Sequence, residues 1–234
     1  MSEPCFMCPA PKIALIYVFV AGQNPHYSCM AHRFATKLRE NPGGIDHETI
    51  VVCNSGVPVE TEKDLFSGLP NLRFLMHDNR AHDISAFQMA ARETNAEICF
   101  FIGATSWVTR PGWGLRILEV REQFDPGIAG AMGNQGDMNS SVYPHLRTTG
   151  FWMDTALFNQ YPKQVQNAGE RYAFEHGKEC LTEWVRLQGR RALVVGWENV
   201  VDVAQADQLP NGFHQNDQSN LIVKDRLCEP PYYG

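Results

Sequence analysis

No stretch of the 234-residue sequence approaches the ~20 consecutive apolar residues that a membrane-spanning helix requires. Basic runs are missing as well. Lys and Arg number 20 against 26 Asp and Glu, a formal charge of −6, which argues against nucleic acid as the main partner while leaving room for a local phosphate site. The seven cysteines are odd in number and irregularly spaced, so they do not form a disulfide framework. Gly-x-Gly-x-x-Gly does not follow the first strand pattern, which continues Gly22-Gln-Asn-Pro-His-Tyr27. That counts against a dinucleotide-binding dehydrogenase. Internal repeats and low-complexity tracts are absent too.

What is present is an ordinary globular composition, 44% hydrophobic and 20% charged, at a length that suits one α/β domain. The apolar run 13–21, with Lys12 before it and Gly22 after it, has the outline of a signal peptide. Its β-branched and aromatic content instead predicts a first buried strand, and a soluble cytoplasmic protein is the expectation. Cys5-Phe-Met-Cys8 is a lone CxxC with no second pair to complete a zinc site. Cys53 and Cys99 fall inside apolar strand patterns and read as reduced core residues.

Periodicity predicts strands over 13–20, 48–53, 72–76, 98–102, 128–132, 148–153 and 192–195. Between them come helices over 26–39 (Met30, Phe34 and Leu38 on one face), 83–94 and 113–124, a short loop or helix at 64–66, and a helix over 179–187 stopped by Gly189. The first half alternates strand and helix, the pattern of a mostly parallel sheet with helices on both faces. Residues 1–11 are expected to be loose, 12–204 to form the α/β domain, and 205–234 to form a loop or lid with a tail packed back. At the centre lies Ile98-Cys-Phe-Phe-Ile-Gly-Ala-Thr-Ser-Trp-Val-Thr-Arg-Pro-Gly-Trp113. A strand buried on both faces that ends in small polar residues marks where ligands sit in an open α/β sheet.

This central stretch resembles the core of family 2-like glycosyltransferases of the GT-A fold, a Rossmann-like α/β class. The resemblance covers roughly residues 13–195. It implies transfer of a sugar from a nucleotide-sugar donor to a glycan, glycolipid or other hydroxyl acceptor, with inversion, as in polysaccharide biosynthesis. In that family the strand ends in Asp-x-Asp, which holds a divalent metal and the donor diphosphate. Counting back from Pro111-Gly112-Trp113 puts those positions at Ala104 and Ser106, which carry no carboxylate. The expectation is therefore metal-independent transfer, with Mn²⁺ or Mg²⁺ left only to a site built otherwise, from Asp83 or His214. The diphosphate would be met by Arg110, Arg147, Lys224 or Arg226. The loss of both carboxylates equally suits a domain that binds a nucleotide-sugar or glycan without turning it over. A nucleotidyltransferase is a further alternative.

The same resemblance implies a donor pocket of Ala21, Asn54, Asp83, Gln88, Ala104, Thr105 and Ser106. Asp83 fits a base or ribose contact, or the N-cap of its helix, and the two roles are compatible. His145 and Arg147 share a strand face and suit phosphate or sugar, and Trp152 suits stacking on a sugar ring or a place in the core. His214 and Lys224 suit a C-terminal closing loop. Glu175-His176, placed at the opening of a helix, is nearest to the family's acidic pair. Glu175 would be the base that takes the acceptor's proton and His176 its neighbour; the alternative is that acids there simply favour the helix dipole.

Overall fold

The computed structural model describes residues 12–22, 25–134 and 143–229. The Cys5/Cys8 pair and the segment 1–11 lie outside them. In chain order the elements begin with β1 (Ile13–Val20), α1 (Pro25–Glu40), β2 (His47–Asn54), α2 (Glu60–Asp64), β3 (Leu72–His77), α3 (His82–Arg92) and β4 (Ile98–Ile102). They continue with β5 (Ser106–Val108), α4 (Trp113–Phe124), β6 (Ile128–Gly130), β7 (Gly133–Asn134), β8 (His145–Leu146) and β9 (Gly150–Asp154). The last third holds α5 (Thr155–Asn159), α6 (Ala168–Glu175), α7 (Leu181–Leu187), β10 (Ala192–Val195), β11 (Val200–Asp202) and β12 (Val223–Asp225), with 3-10 turns at Val203–Gln208 and Arg226–Cys228.

Eight strands form one sheet in the order β11-β10-β6-β9-β4-β1-β2-β3. β1 pairs in parallel with both β2 and β4, and β6 with β10. β9 enters antiparallel between β4 and β6, and β11 is an antiparallel edge. The period-2 geometry of a strand sends alternate residues of β1 into two separate cores. Ile13, Leu15, Tyr17 and Phe19 join one; Ala14, Ile16 and Val18 join the other. Every residue from Ile13 to Phe19 is at most 2% exposed, so this strand reads as a continuous apolar run rather than an alternating one.

Helices α1 and α4 cover the first face. α1 buries Ala31, Phe34, Ala35 and Leu38, and Phe34 stacks on Tyr17 at 3.8 Å, a contact worth about 0.5–1.5 kcal/mol beyond its burial. α4 contributes Trp113, Ile117 and Val120 to the same core. Its N-cap, Gly112, has φ +85°, a conformation only glycine adopts without strain. Helices α3, α5, α6 and α7 cover the other face through Ala86, Phe87, Phe158, Phe174 and Val185.

Outside the main sheet, β12 returns to pair antiparallel with β5, setting Asp225 opposite Ser106 and Val223 opposite Val108. Gly150, at the start of β9, makes room for this: a Cβ there would come within 2.8–3.1 Å of Val223. Among the described residues no helix is long and apolar enough to cross a membrane.

Candidate active site

Strand order turns at β1, whose neighbours β2 and β4 are both followed by chain that leaves in opposite directions along the sheet. Such a switch point opens a crevice beyond the carboxyl ends of the strands. Here the crevice has a volume of about 490 Å³ and is lined by Val18, Asn54, Asp83, Thr105, Arg171 and Arg226, among others. Two of its residues, Asn79 and His82, hold left-handed backbone at φ +61° and +55°, which non-glycine residues rarely adopt.

The side chains of the crevice are tightly assigned. Asn54, 1% exposed, donates from Nδ2 to the His82 carbonyl at 3.0 Å and keeps Oδ1 2.8 Å from His77 Nδ1. It ties the ends of β2 and β3 to the start of α3. Ala21 is buried, its amide donating to the Asn54 carbonyl, and does not line the crevice. Asp83 is not the N-cap of α3; that position is Ala81. Its carboxylate instead accepts from Arg171 Nε at 2.7 Å, and this partner holds the Arg171 guanidinium above its usual range. Arg226 Nη1 lies 3.2 Å from His26 Nε2. The crevice thus presents two guanidinium groups and one carboxylate. Arg171 is a crevice residue that the sequence does not signal: nothing in its neighbours indicates that α6 approaches Asp83.

At the end of β4, Ala104 gives its carbonyl to the Tyr17 hydroxyl at 2.9 Å. Thr105 and Ser106 both donate to Asp225 Oδ2, at 2.5 and 2.9 Å, while Asp225 Oδ1 accepts the Leu227 amide at 2.9 Å. Both hydroxyls thus donate to a carboxylate brought from β12 rather than into the crevice, which Thr105 lines and buried Ser106 does not. Asp225 is 2% exposed and its oxygens are already shared among three donors. A hard divalent cation needs several free oxygen ligands, and the residues here do not fit one.

A second polar centre lies beside the crevice. Glu175 closes α6 rather than opening a helix, His176 is its C-cap, and Gly177 at φ +85° turns the chain toward α7. A helix C-terminus disfavours negative charge, so a preference of acids for the helix dipole does not explain Glu175. Its Oε1 accepts the Thr148 amide at 3.2 Å, next to Thr149 of the crevice wall and one turn after Arg171. His176 stacks on Tyr172 at 4.3 Å and sets Nε2 3.9 Å from Glu175 Oε2. His145 is fully buried, its ring 4.5 Å from that of His176. Burial pushes the His145 imidazole below the usual histidine range, toward the neutral form. His145 is thus not a surface group that meets substrate from an open strand face, as its alternation with Arg147 suggests.

Arg147 turns instead into a second crevice of about 420 Å³, shared with His214 and Phe213, and its guanidinium lies 4.9 Å over the Phe213 ring. Lys224 lines neither crevice; its charge adds to the hydrogen bonds from Ser219 that hold the Asp217 carboxyl below the usual carboxylate range. Arg110 is spent on the Ser219 carbonyl. Trp152 is 2% exposed and packs edge-on against Phe100 at 5.8 Å, so it cannot stack on a sugar. Gln88 is likewise no donor contact: it donates to the Lys163 carbonyl at 2.8 Å and accepts the Val165 amide at 3.0 Å, clamping that loop onto α3.

No protein-family model matches the sequence, and no curated protein matches it. Among solved structures the chain is similar to the mannosyltransferase PcManGT from Pyrobaculum calidifontis, solved in complex with GDP-Man and Mn²⁺. The TM-score is 0.55 at 11% identity, over 79% of this chain and 55% of that one. It is also similar to S. aureus TarS 1-349, with TM-score 0.50 at 12% identity, over 70% of this chain and 53% of that one. The chain spans about half the length of these two structures. At such identities the likeness speaks to architecture, and the architecture is that of a GT-A-like α/β fold with a mostly parallel central sheet.

Proposed function

We propose that this chain transfers a sugar, of hexosyl type, from a nucleotide-sugar donor to a hydroxyl of a glycan or glycolipid acceptor. The observation that carries the reading is the crevice at the switch point, which Arg171 and Arg226 both line and where, among the described residues, Asp83 is the one lining carboxylate. Guanidinium groups recognise diphosphate oxygens by paired charge-assisted hydrogen bonds, so the charge of a nucleoside diphosphate is met here by protein cations. Asp83, held in place by Arg171, is the acceptor for ribose or base donors. Glu175, whose Oε1 is fixed by the amide of Thr148, is joined in this way to the chain next to Thr149 of the crevice wall. The acceptor hydroxyl attacks the anomeric carbon on the face opposite the departing nucleoside diphosphate, a single displacement that inverts its configuration, while Glu175 takes the hydroxyl proton.

One observation favours a second reading, a domain that binds nucleotide-sugar without turnover. The hydroxyls at the strand end are locked onto Asp225. Thermal-shift measurements with nucleotides and nucleotide-sugars, in EDTA and in Mn²⁺, test the donor site, since a ligand of the folded state raises apparent stability. The reading expects a shift with one nucleotide-sugar that EDTA leaves intact. Chromatographic assay for released nucleoside diphosphate then separates the two readings: wild-type turnover lost in Glu175→Gln supports the transferase, and donor binding without turnover supports the binder. No shift with any nucleotide overturns both.

A further inference from the structure

We propose that His145, Glu175 and His176 form a binding site for a Zn²⁺-class divalent cation. Among the described residues, their ligand atoms are the one set of three that all lie within 4.8 Å of one another. A tetrahedral Zn²⁺ with bonds of about 2.0–2.1 Å holds neighbouring ligand atoms about 3.4 Å apart, so a contraction of at most about 1.4 Å closes the set.

An independent observation points to a ligand. His145 Nδ1 lies 3.1 Å from the Tyr143 carbonyl. That contact places the proton on Nδ1 and the lone pair on Nε2. Yet Nε2, sealed from solvent, has no hydrogen-bond partner. A ring nitrogen that is itself sealed from water and has no partner is costly. An imidazole whose other N–H is fixed by a backbone carbonyl is the usual state of a metal ligand. Glu175 is oriented in the same way, one oxygen on the Thr148 amide and the other 3.9 Å from His176 Nε2.

The donor set selects the cation. Two imidazoles and one carboxylate suit Zn²⁺ and its neighbours in the transition series, whereas Mg²⁺ and Ca²⁺ favour oxygen-only sites. The Glu175 and His176 side chains are 15% and 18% exposed, so a fourth position opens to water. The site differs from the strand-end position where a GT-A metal is expected, which lies at Ala104–Ser106. It stands on its own geometry and does not need the transferase reading. Where both hold, Glu175 is either a metal ligand or a free base, so Zn²⁺ occupancy slows transfer.

The test is calorimetric titration of the chelator-treated full chain with Zn²⁺, alongside absorption spectra of the Co²⁺-loaded protein. One equivalent is expected, with Co²⁺ ligand-field bands and no thiolate charge-transfer band. Glu175→Gln and His176→Gln weaken binding by more than about a hundredfold, beyond the loss of an outer-shell partner. Cys5→Ser/Cys8→Ser leaves it unchanged. His176→Gln, at a partly exposed position, decides the matter if a buried His145 variant fails to fold. Absence of Zn²⁺ binding, wild-type affinity in His176→Gln, or loss of binding in the cysteine variant overturns the proposal. None of these readouts depends on nucleotide binding, so failure here and failure of the transferase reading are separable.

Discussion

Replacing Asp225 by Ala removes the acceptor shared by three donors: the Thr105 and Ser106 hydroxyls and the Leu227 amide. Hydrogen bonds to a charged acceptor contribute about 1.5–3 kcal/mol each in net terms. Simple addition overstates the loss, because Thr105 lines the crevice and regains water. Ser106 does not; it is 1% exposed, and leaving its hydroxyl unpaired costs about 1–3 kcal/mol. The expected destabilisation is about 2–4 kcal/mol, read as a lower urea midpoint at unchanged m-value. For a chain of this size it lowers Tm by roughly 4–16 °C. Asp225→Asn keeps one carbonyl oxygen, and the rotatable hydroxyls turn to accept from its NH₂, so its loss is smaller, about 1 kcal/mol. A double-mutant cycle of Asp225→Ala with Ser106→Ala then shows a coupling of about 0.5–3 kcal/mol. If Asp225→Ala unfolds within about 0.5 kcal/mol of wild type, the carboxylate does not hold the strand end, and the explanation for the unfit metal position fails with it.

Other outcomes follow from the same structure. Arg171→Met and Arg226→Met each weaken donor binding by about tenfold or more, as loss of a charge-assisted phosphate contact does; titration calorimetry giving wild-type affinity in both refutes the diphosphate assignment. Glu175→Gln lowers turnover by about 10²–10⁴-fold with donor affinity retained, and equal turnover removes it as the base. Trp152→Phe alters stability but leaves donor and acceptor affinity unchanged; a raised acceptor KM would show a sugar contact after all. Burial lowers the pKa of His47, His77, His145 and His214 in the folded chain. Below the unfolded value of about 6.5 the unfolded chain therefore binds more protons than the folded one, and stability falls with pH. Urea midpoints in EDTA drop between pH 7.5 and 5.5 and are flat above, with a shallower slope in His47→Asn; a midpoint constant across that window contradicts the burial argument. The thiols of Cys53 and Cys99 are pushed up to about 12 by burial, so alkylation at pH 8 with peptide mapping modifies exposed Cys29 and spares both.

How much of this the sequence discloses depends on how local the cause is. β4 begins and ends where its apolar run does, at Ile98 and Ile102, because a strand covered on both faces has no polar position to blur its limits. Helix α1 is legible for a similar reason: Phe34 and Leu38 sit one turn apart and both are buried. The strand-end crevice follows from the alternation of strands and helices alone. The features that decide its chemistry do not. Asp225 reaches Ser106 through three residues of β12, a segment too short for any periodicity. The Asp83–Arg171 pair joins residues 88 apart. Glu175 looked like the opening of a helix because the residues after it remain helix-friendly; only Gly177, in left-handed backbone, reveals the break. Trp152 and Gln88 carry polar atoms that suit a ligand, and their burial is set by neighbours from other elements.

The pairing of β5 with β12 also dictates when the crevice comes into being. Ser106 and Asp225 are 119 residues apart, and Arg226, which completes the crevice wall, follows immediately. On a ribosome adding about 5–20 residues per second, β5 precedes its partner β12 by roughly 6–24 s. A nascent chain already holding β1 to β4 has the apolar half of its sheet but neither cation-bearing wall. A ligand that needs both Arg171 and Arg226 therefore finds no complete site on such a chain. The crevice wall is complete only after Asp225 and Arg226 have been made, so a change at either of these two residues reaches the crevice directly.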